Sequence, residues 1–224
     1  MSLFHFIDEF FGDSANWSGA NGIPQRLWEH VLYTLMALGI ASVIALPLGL
    51  LTGHTGRGGN ALAFLATAAR ALPTLGLLVL LTLLWGIGLV PVMVPLVALA
   101  VPPILVTSYE AIRTVDPSLV DAAQGMGMSA PRVLFQVEIP VALPLILSGL
   151  RSAAVQTVAT TTIAAAVSFG GLGRYIYDGL SQENYSKAVG GSALVMLLAL
   201  ATLGVFWLIG QVCVSPGVRR GRVG

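Results

Sequence analysis

Residues 71–109 read ALPTLGLLVLLTLLWGIGLVPVMVPLVALAVPPILVTSY and carry no formal charge. As one helix, at about 1.5 Å per residue, this run would be about 58 Å long, nearly twice the roughly 30 Å of hydrocarbon in a bilayer. It must turn back on itself. The turn falls at Trp85-Gly86-Ile87-Gly88-Leu89-Val90-Pro91, where turn residues accompany an interfacial Trp. Two spans, about Leu62 to Leu84 and about Val92 to Tyr109, meet there.

The rest of the chain repeats the pattern. Between His30 and His54 the strongly polar residues are Thr34, Ser42 and Thr52, which gives a span from Tyr33 to Leu51. Further uncharged stretches lie between Arg151 and Arg174 and from Ala188 to about Val214. The count is about five transmembrane helices, an all-α integral membrane protein. Composition agrees: of 224 residues 56% are apolar and 9% charged, against roughly 25% charged in a soluble domain. A net charge of +1 leaves no nucleic-acid footprint, and the single Cys213 excludes an internal disulfide and a Cys-based metal site. The expected organisation is an external N-terminal segment, 1–30, a membrane domain, 31–214, and a basic tail, 215–224, that holds Arg219, Arg220 and Arg222.

Orientation follows from the positive-inside bias. One side holds Arg57, Arg70, Arg113, Arg132, Arg151 and the three C-terminal arginines; the other holds Arg26, Arg174 and Lys187. The C-terminus and the 111–140 loop are therefore expected in the cytoplasm and the N-terminus outside, with Arg70 and Arg151 snorkelling to the interface. No Lys or Arg precedes Arg26, so the basic region of a cleaved signal peptide is lacking and the segment is expected to stay on the mature chain. Within it Leu3, Ile7, Phe10 and Phe11 recur at helical spacing with Asp8 and Glu9 on another face, a short helix in the headgroup region, while Trp17 and Trp28 suit an aromatic belt.

Catalysis is not written in this chain. It has no phosphate-loop signature, no His-Glu-x-x-His and no acidic pair inside a span. His5, His30 and His54 sit in the tail or at span ends and read as solvated or interfacial rather than as ligands; no metal site is expected. Gly170-Gly171-Leu172-Gly173 reads as an external turn, since a phosphate cradle needs a strand and a Lys that are lacking. Uphill transport would draw its energy from another subunit.

The 111–140 loop is the informative segment. Asp116-Pro117 starts a helix, the carboxylate accepting from free N–H groups and Pro fixing φ. Gly125 and Gly127 permit a stop or sharp turn, and Ser129 with Pro131 restarts a second short helix expected to end at Ile139-Pro140. Asp121-Ala122-Ala123, three residues, Gly127, nine residues, then Val137-Glu138-Ile139-Pro140 resembles the Glu-Ala-Ala loop of binding-protein-dependent ABC importer permeases. The departures are Asp at 121, Val at 137 and Ile at 139, where that pattern has Glu, Ile and Leu; charge or apolar character is kept.

That resemblance implies a type I ABC importer permease core with a cytoplasmic helical coupling loop, in which Asp121, Ala122, Ala123, Gly125, Gly127, Ile139 and Pro140 serve docking of an ATPase subunit. The small residues would form the approachable surface. ATP and Mg would bind that partner, with no cofactor on this chain. Further partners implied are a second permease copy or a related permease, an extracytoplasmic substrate-binding protein and membrane lipid, in a bacterial plasma (inner) membrane. Ala71-Leu72-Pro73-Thr74-Leu75-Gly76, Val101-Pro102-Pro103-Ile104, Leu143-Pro144-Leu145 to Ala154, and Gly170-Gly171-Leu172-Gly173 with Asp178-Gly179-Leu180 are similar to glycine betaine, choline and carnitine permeases. Permeases for methionine and other small polar amino acids share five spans and the loop, and form the alternative.

For the path itself, Gln156 with Thr160 and Thr157 with Thr161 are four apart and so share helix faces. Two readings stand: an uncharged polar lining for a zwitterion or cation, or hydroxyls that bond back to carbonyls and glue helices together. Pro73, Pro102 and Pro103 mark candidate kinks. No aromatic cage is evident within a span, so selective capture would belong to the separate binding protein. Arg174, Asp178 and Glu183 in the 170–187 loop are its candidate docking residues, against the plainer reading of a solvated surface loop. An ion-coupled secondary transporter would need an intramembrane acidic site and repeats, and a membrane-embedded enzyme a catalytic cluster; neither is found.

Overall fold

The computed structural model describes residues 3–214. The Arg70 side chain and the basic tail at 215–224 lie outside the described residues. Among the described residues there is no strand. The order is α1 (Leu3–Gly12), a 3₁₀ turn (Ser14–Trp17), α2 (Ile23–Thr55), α3 (Gly59–Ala71), α4 (Thr74–Trp85), α5 (Leu89–Arg113), α6 (Pro117–Gly125), α7 (Ala130–Val133), a π-turn (Leu134–Glu138), α8 (Ile139–Thr161), a 3₁₀ turn (Thr162–Val167), α9 (Gly173–Ser181) and α10 (Tyr185–Cys213). Four helical runs are long and apolar enough to cross a membrane, Ile23–Thr55, Leu89–Arg113, Ala130–Val167 and Tyr185–Cys213, and α3 with α4 makes a fifth if the broken pair counts as one span.

The span from Leu62 to Leu84 is thus two helices rather than one. Pro73 explains the break: its ring disfavours α geometry at Leu72, and it becomes the N-cap of α4. By contrast α5 runs on through Pro95, Pro102 and Pro103. The turn between α4 and α5 lies at Gly86–Gly88, as the hydropathy pattern requires.

The helix expected to end at Ile139-Pro140 does not end there. The Ile139 N–H bonds the Leu134 carbonyl, five residues back, and the chain continues without interruption into α8. A π-turn widens the helix by one residue just where Pro140 has no N–H to give and its ring needs room. The polar loop therefore shrinks to about residues 114–129, and the span placed between Arg151 and Arg174 begins at Ile139 and loses α geometry at Thr162.

The described residues fold as two compact units, one comprising 3–40, Leu72–Ala100 and Ala154–Thr202, the other Ala41–Ala71, Val101–Ala153 and 203–214. In the first unit Ala37, Leu78, Val92, Met93, Leu96 and Ala164 form one apolar cluster. A second cluster gathers Phe10, Ile23, Leu172 and Tyr175. Here α1 is a packed element. Phe10 is buried and meets the Tyr175 ring edge-on at 5.2 Å, and Gly190 leaves the space its ring fills. The expected polar face of α1 is partly a packing face, because the Glu9 carboxylate accepts a hydrogen bond from the Ser186 hydroxyl. Leu3 and Phe4 are exposed.

In the second unit Ala111, Ile112, Val115, Leu134, Ala142 and Ile146 form the core, with Leu46, Leu50 and Val120 against it. Glycines let backbones approach. A Cβ at Gly49 would lie 2.7 Å from the Leu105 carbonyl and one at Gly53 2.9 Å from that of Tyr109, so α2 rides directly on α5. Gly149 of α8 likewise abuts the Thr107 side chain. Small residues at helix crossings are how apolar helices associate where the hydrophobic effect gives no net drive.

Candidate functional site

The α6–α7 segment is built as its sequence suggests. The Asp116 carboxylate accepts the Ser118 N–H at 2.9 Å, and this bond holds its pKa below the usual carboxylate range. Pro117 takes the first helical position. At the other end the Gly127 N–H bonds the Gln124 carbonyl and the Met128 N–H bonds that of Ala123, the paired bonds that close a helix with a left-handed residue, here Gly127 at φ 86°. Ser129 stands at the N-cap of α7, yet its hydroxyl makes no capping bond.

Within this frame the expected docking residues separate. Asp121, Ala122, Gly125 and Gly127 are exposed, whereas Ala123 is buried in its own unit. Ile139 is half-buried against the unit's core and Pro140 exposed on α8. The open face of α6 carries Leu119, Ala122 and Met126, three and four residues apart, and Phe135 stands exposed nearby in sequence. Met126 at 77% exposure and Phe135 at 67% were not marked by the loop pattern, which records small residues. The one available signal was the apolar spacing of 119 and 126 on a short helix.

The polar face of α8 divides as well. Thr157 and Thr161 are buried; the Thr161 hydroxyl donates to the Thr157 carbonyl at 2.8 Å and lies 3.4 Å from the Thr34 hydroxyl on α2. Gln156 is exposed and Thr160 half-buried, its hydroxyl donating to the Gln156 carbonyl at 2.8 Å. Thr160 also borders a narrow crevice with Thr74, Leu78, Leu96 and Ile163. The structure therefore brings Thr157 and Thr161 into a helix contact and leaves Gln156 and Thr160 on the open face.

Arg174 and Asp178 of α9 pair at 2.8 Å, one turn apart, each about a quarter exposed. With Asn21, Arg26, Tyr175 and Lys187 they line a polar cavity of about 190 Å³. The Tyr175 hydroxyl donates to the Asn21 carbonyl at 2.6 Å, and burial raises its pKa so that it stays a donor. Glu183 is exposed with φ 56°, apart from that lining.

Two histidines expected to be solvated or interfacial take specific partners, and one of them is buried. His30 is fully buried: its Nδ1 accepts the Leu172 N–H at 3.2 Å, which leaves the proton on Nε2 to donate to the Val158 carbonyl at 2.9 Å. Beside it Glu29 accepts the Gly171 N–H at 2.8 Å and pairs with Arg26 at 2.9 Å. Gly171 sits at φ 92°, where a side chain would be strained and a Cβ would lie 3.2 Å from the His30 ring. His54 lies 2.5 Å from the Glu138 carboxylate, which is 5% exposed. These partners are 142 and 84 residues apart in sequence, and no local spacing announces them. Among the described residues no group of His, Cys, Asp and Glu could hold a metal ion.

The family described as binding-protein-dependent transport system inner membrane component matches residues 45–220. The chain is 33% identical over 172 residues to a glycine betaine/carnitine/choline transport system permease protein of Bacillus subtilis, covering 77% of this chain and 79% of that one. It is 31% identical over 175 residues to a choline transport system permease protein of the same organism, covering 78% and 81%. In fold it is similar to a chain of the methionine ABC transporter MetNI in an inward-facing conformation, with a TM-score of 0.76 at 23% identity over 86% of this chain and 96% of that one.

Proposed function

Because the chain belongs to the binding-protein-dependent transport system inner membrane component family, we propose that it is the permease through which an osmolyte of the glycine betaine, choline and carnitine class enters the cell. The observation that carries this reading is the likeness, over more than three quarters of the chain, to permeases named for those solutes. The chemistry of the spans supports it. The open polar residues of α8, Gln156 and Thr160, carry no charge, so a molecule with balanced or delocalised charge meets no fixed counter-ion there.

ATP and Mg bind a partner subunit on the cytoplasmic side. That subunit docks on the Leu119, Ala122 and Met126 face of α6, and closure of its nucleotide sites pulls on the α6–α7 segment. Gln156 and Thr160 line the path, completed by a second permease copy or a related permease. An extracytoplasmic binding protein captures the solute and delivers it near α9, where Arg174 and Asp178 border the polar cavity.

Reconstituted complex tests the reading directly. Uptake of radiolabelled glycine betaine, choline or carnitine, dependent on ATP and exceeding that of methionine, is expected; methionine uptake without betaine uptake overturns the substrate assignment. Gly127→Trp should separate ATP hydrolysis from uptake while the chain still inserts, and unchanged uptake refutes the docking assignment. With Cys213 replaced, a cysteine at Ser129 should label from the cytoplasm and one at Ser181 from outside. The reverse labelling inverts the topology.

A further inference from the structure

We propose that the His54–Glu138 pair is a positioning link that makes the α6–α7 segment and α2 move together, so that closure of the ATPase reaches α2; this rests on the permease reading above. Glu138 is 5% exposed and its carboxylate lies 2.5 Å from His54 Nδ1, the donor. A carboxylate buried at a helix contact is not needed to fill space, and a well-packed apolar residue there would be at least as stable. What the pair adds over an apolar contact is direction: apolar side chains slide past one another, while a short charge-assisted hydrogen bond fixes one atom against another.

The backbone is arranged to make that contact. Glu138 is the last residue of the π-turn, and one residue of an α-helix corresponds to about 100° of rotation. Without the extra residue, Glu138 would face about 100° away from its present direction, off His54. π-turns recur where a helix must aim a functional side chain. The same turn is packed on α6 and α7: Leu134 and Val120 of α6 share one apolar cluster, and Val133 and Ala123 are buried. The segment from Pro117 to Glu138 is thus one packed piece. On the other side of the link, Gly49 and Gly53 hold α2 directly against the backbone of α5. A displacement of α6 is carried through Glu138 to His54, and from there to the 41–55 part of α2.

The test uses the whole transporter in proteoliposomes and reads glycine betaine imported per ATP hydrolysed, at matched amounts of assembled complex. Glu138→Ala and His54→Ala should each lower that ratio by about tenfold while hydrolysis continues, and the double variant should be no worse than either single one. Glu138→Gln, which keeps an acceptor for His54, should stay within about twofold of the parent. A merely structural role would reduce the amount of complex and leave the ratio alone. The inference is overturned if either Ala variant keeps the parental ratio, if the two losses multiply, or if Glu138→Gln falls as far as Glu138→Ala. Should Glu138→Ala fail to assemble, His54→Leu, which withdraws the donor at similar volume and leaves the carboxylate, is read against the same limits. Failure of the permease reading is separate: the parent complex would then import no betaine at all.

Discussion

Replacing His30 with Leu, a side chain of similar volume, isolates what its two hydrogen bonds do. The ring joins three pieces of one unit: it sits on α2, receives the Leu172 N–H from the turn before α9, and gives its own proton to the Val158 carbonyl on α8. All of this is buried, with His30 fully shielded and Leu172 and Val158 at 0% and 1% exposure, so water cannot take the place of the lost partners. A buried group left without its hydrogen bond costs about 1–3 kcal/mol, which for the two groups sums to about 2–6 kcal/mol. For a chain of this size each kcal/mol lowers the melting midpoint by about 2–4 °C, so His30→Leu should unfold about 4–24 °C earlier. Thermal unfolding of the purified protein in one detergent, followed by circular dichroism, measures it. His30→Gln, which can supply a donor or an acceptor but not both at ring spacing, should fall in between. A shift below about 2 °C for His30→Leu would refute the argument, since it would mean that neither backbone group depended on the ring.

Other perturbations follow from the same geometry. Gly190→Ala places a methyl against the Phe10 ring and should cost about 1–3 kcal/mol by overpacking, with the N-terminal helix becoming protease-sensitive; in a Phe10→Ala background the same substitution should cost much less, because the two sites are in contact. Asp116→Ala should speed amide exchange at Ser118 and Leu119. Because the folded-state pKa of Asp116 is depressed, its contribution in the parent is present above the ordinary carboxylate range and lost as pH falls through the folded value, so the protection of these amides relative to their intrinsic exchange rates should fall on acidification in the parent and not in the variant. Ser108→Ala should be neutral or stabilising, since the buried Ser108 hydroxyl has no hydrogen-bond partner; a loss above about 1 kcal/mol would show that the hydroxyl is in fact satisfied.

What could be read from the sequence divides along the range of the interactions. Hydropathy located the spans because a bilayer imposes a length on every uncharged run, and the α4–α5 turn, the Asp116 cap and the Gly127 stop are each specified within a few residues. Errors entered where one local rule was applied without its structural remedy. Pro140 reads as a helix stop, yet it ends nothing, because one inserted residue upstream supplies the space its ring needs. Pro73 reads as a kink and is a full break between α3 and α4. The Ala122-Ala123 pair reads as one small surface, but adjacent helical residues point about 100° apart, so one faces out and the other in.

The histidines mark the further limit. His30 and His54 stand at the ends of the first uncharged run, where exposure is the reasonable expectation, and each is instead shielded by a partner that arrives from far along the chain. Such pairings leave no period or spacing to detect. For His54 the glycine contacts at 49, 53 and 149 set how closely α2 and α8 approach α5 in the same unit, and for His30 it is Gly171 that lets the turn before α9 reach the ring. The small residues that a hydropathy reading passes over as filler therefore decide where the buried polar groups of this permease can be satisfied, and a substitution at Gly49 or Gly53 should disturb the His54–Glu138 contact without touching either side chain.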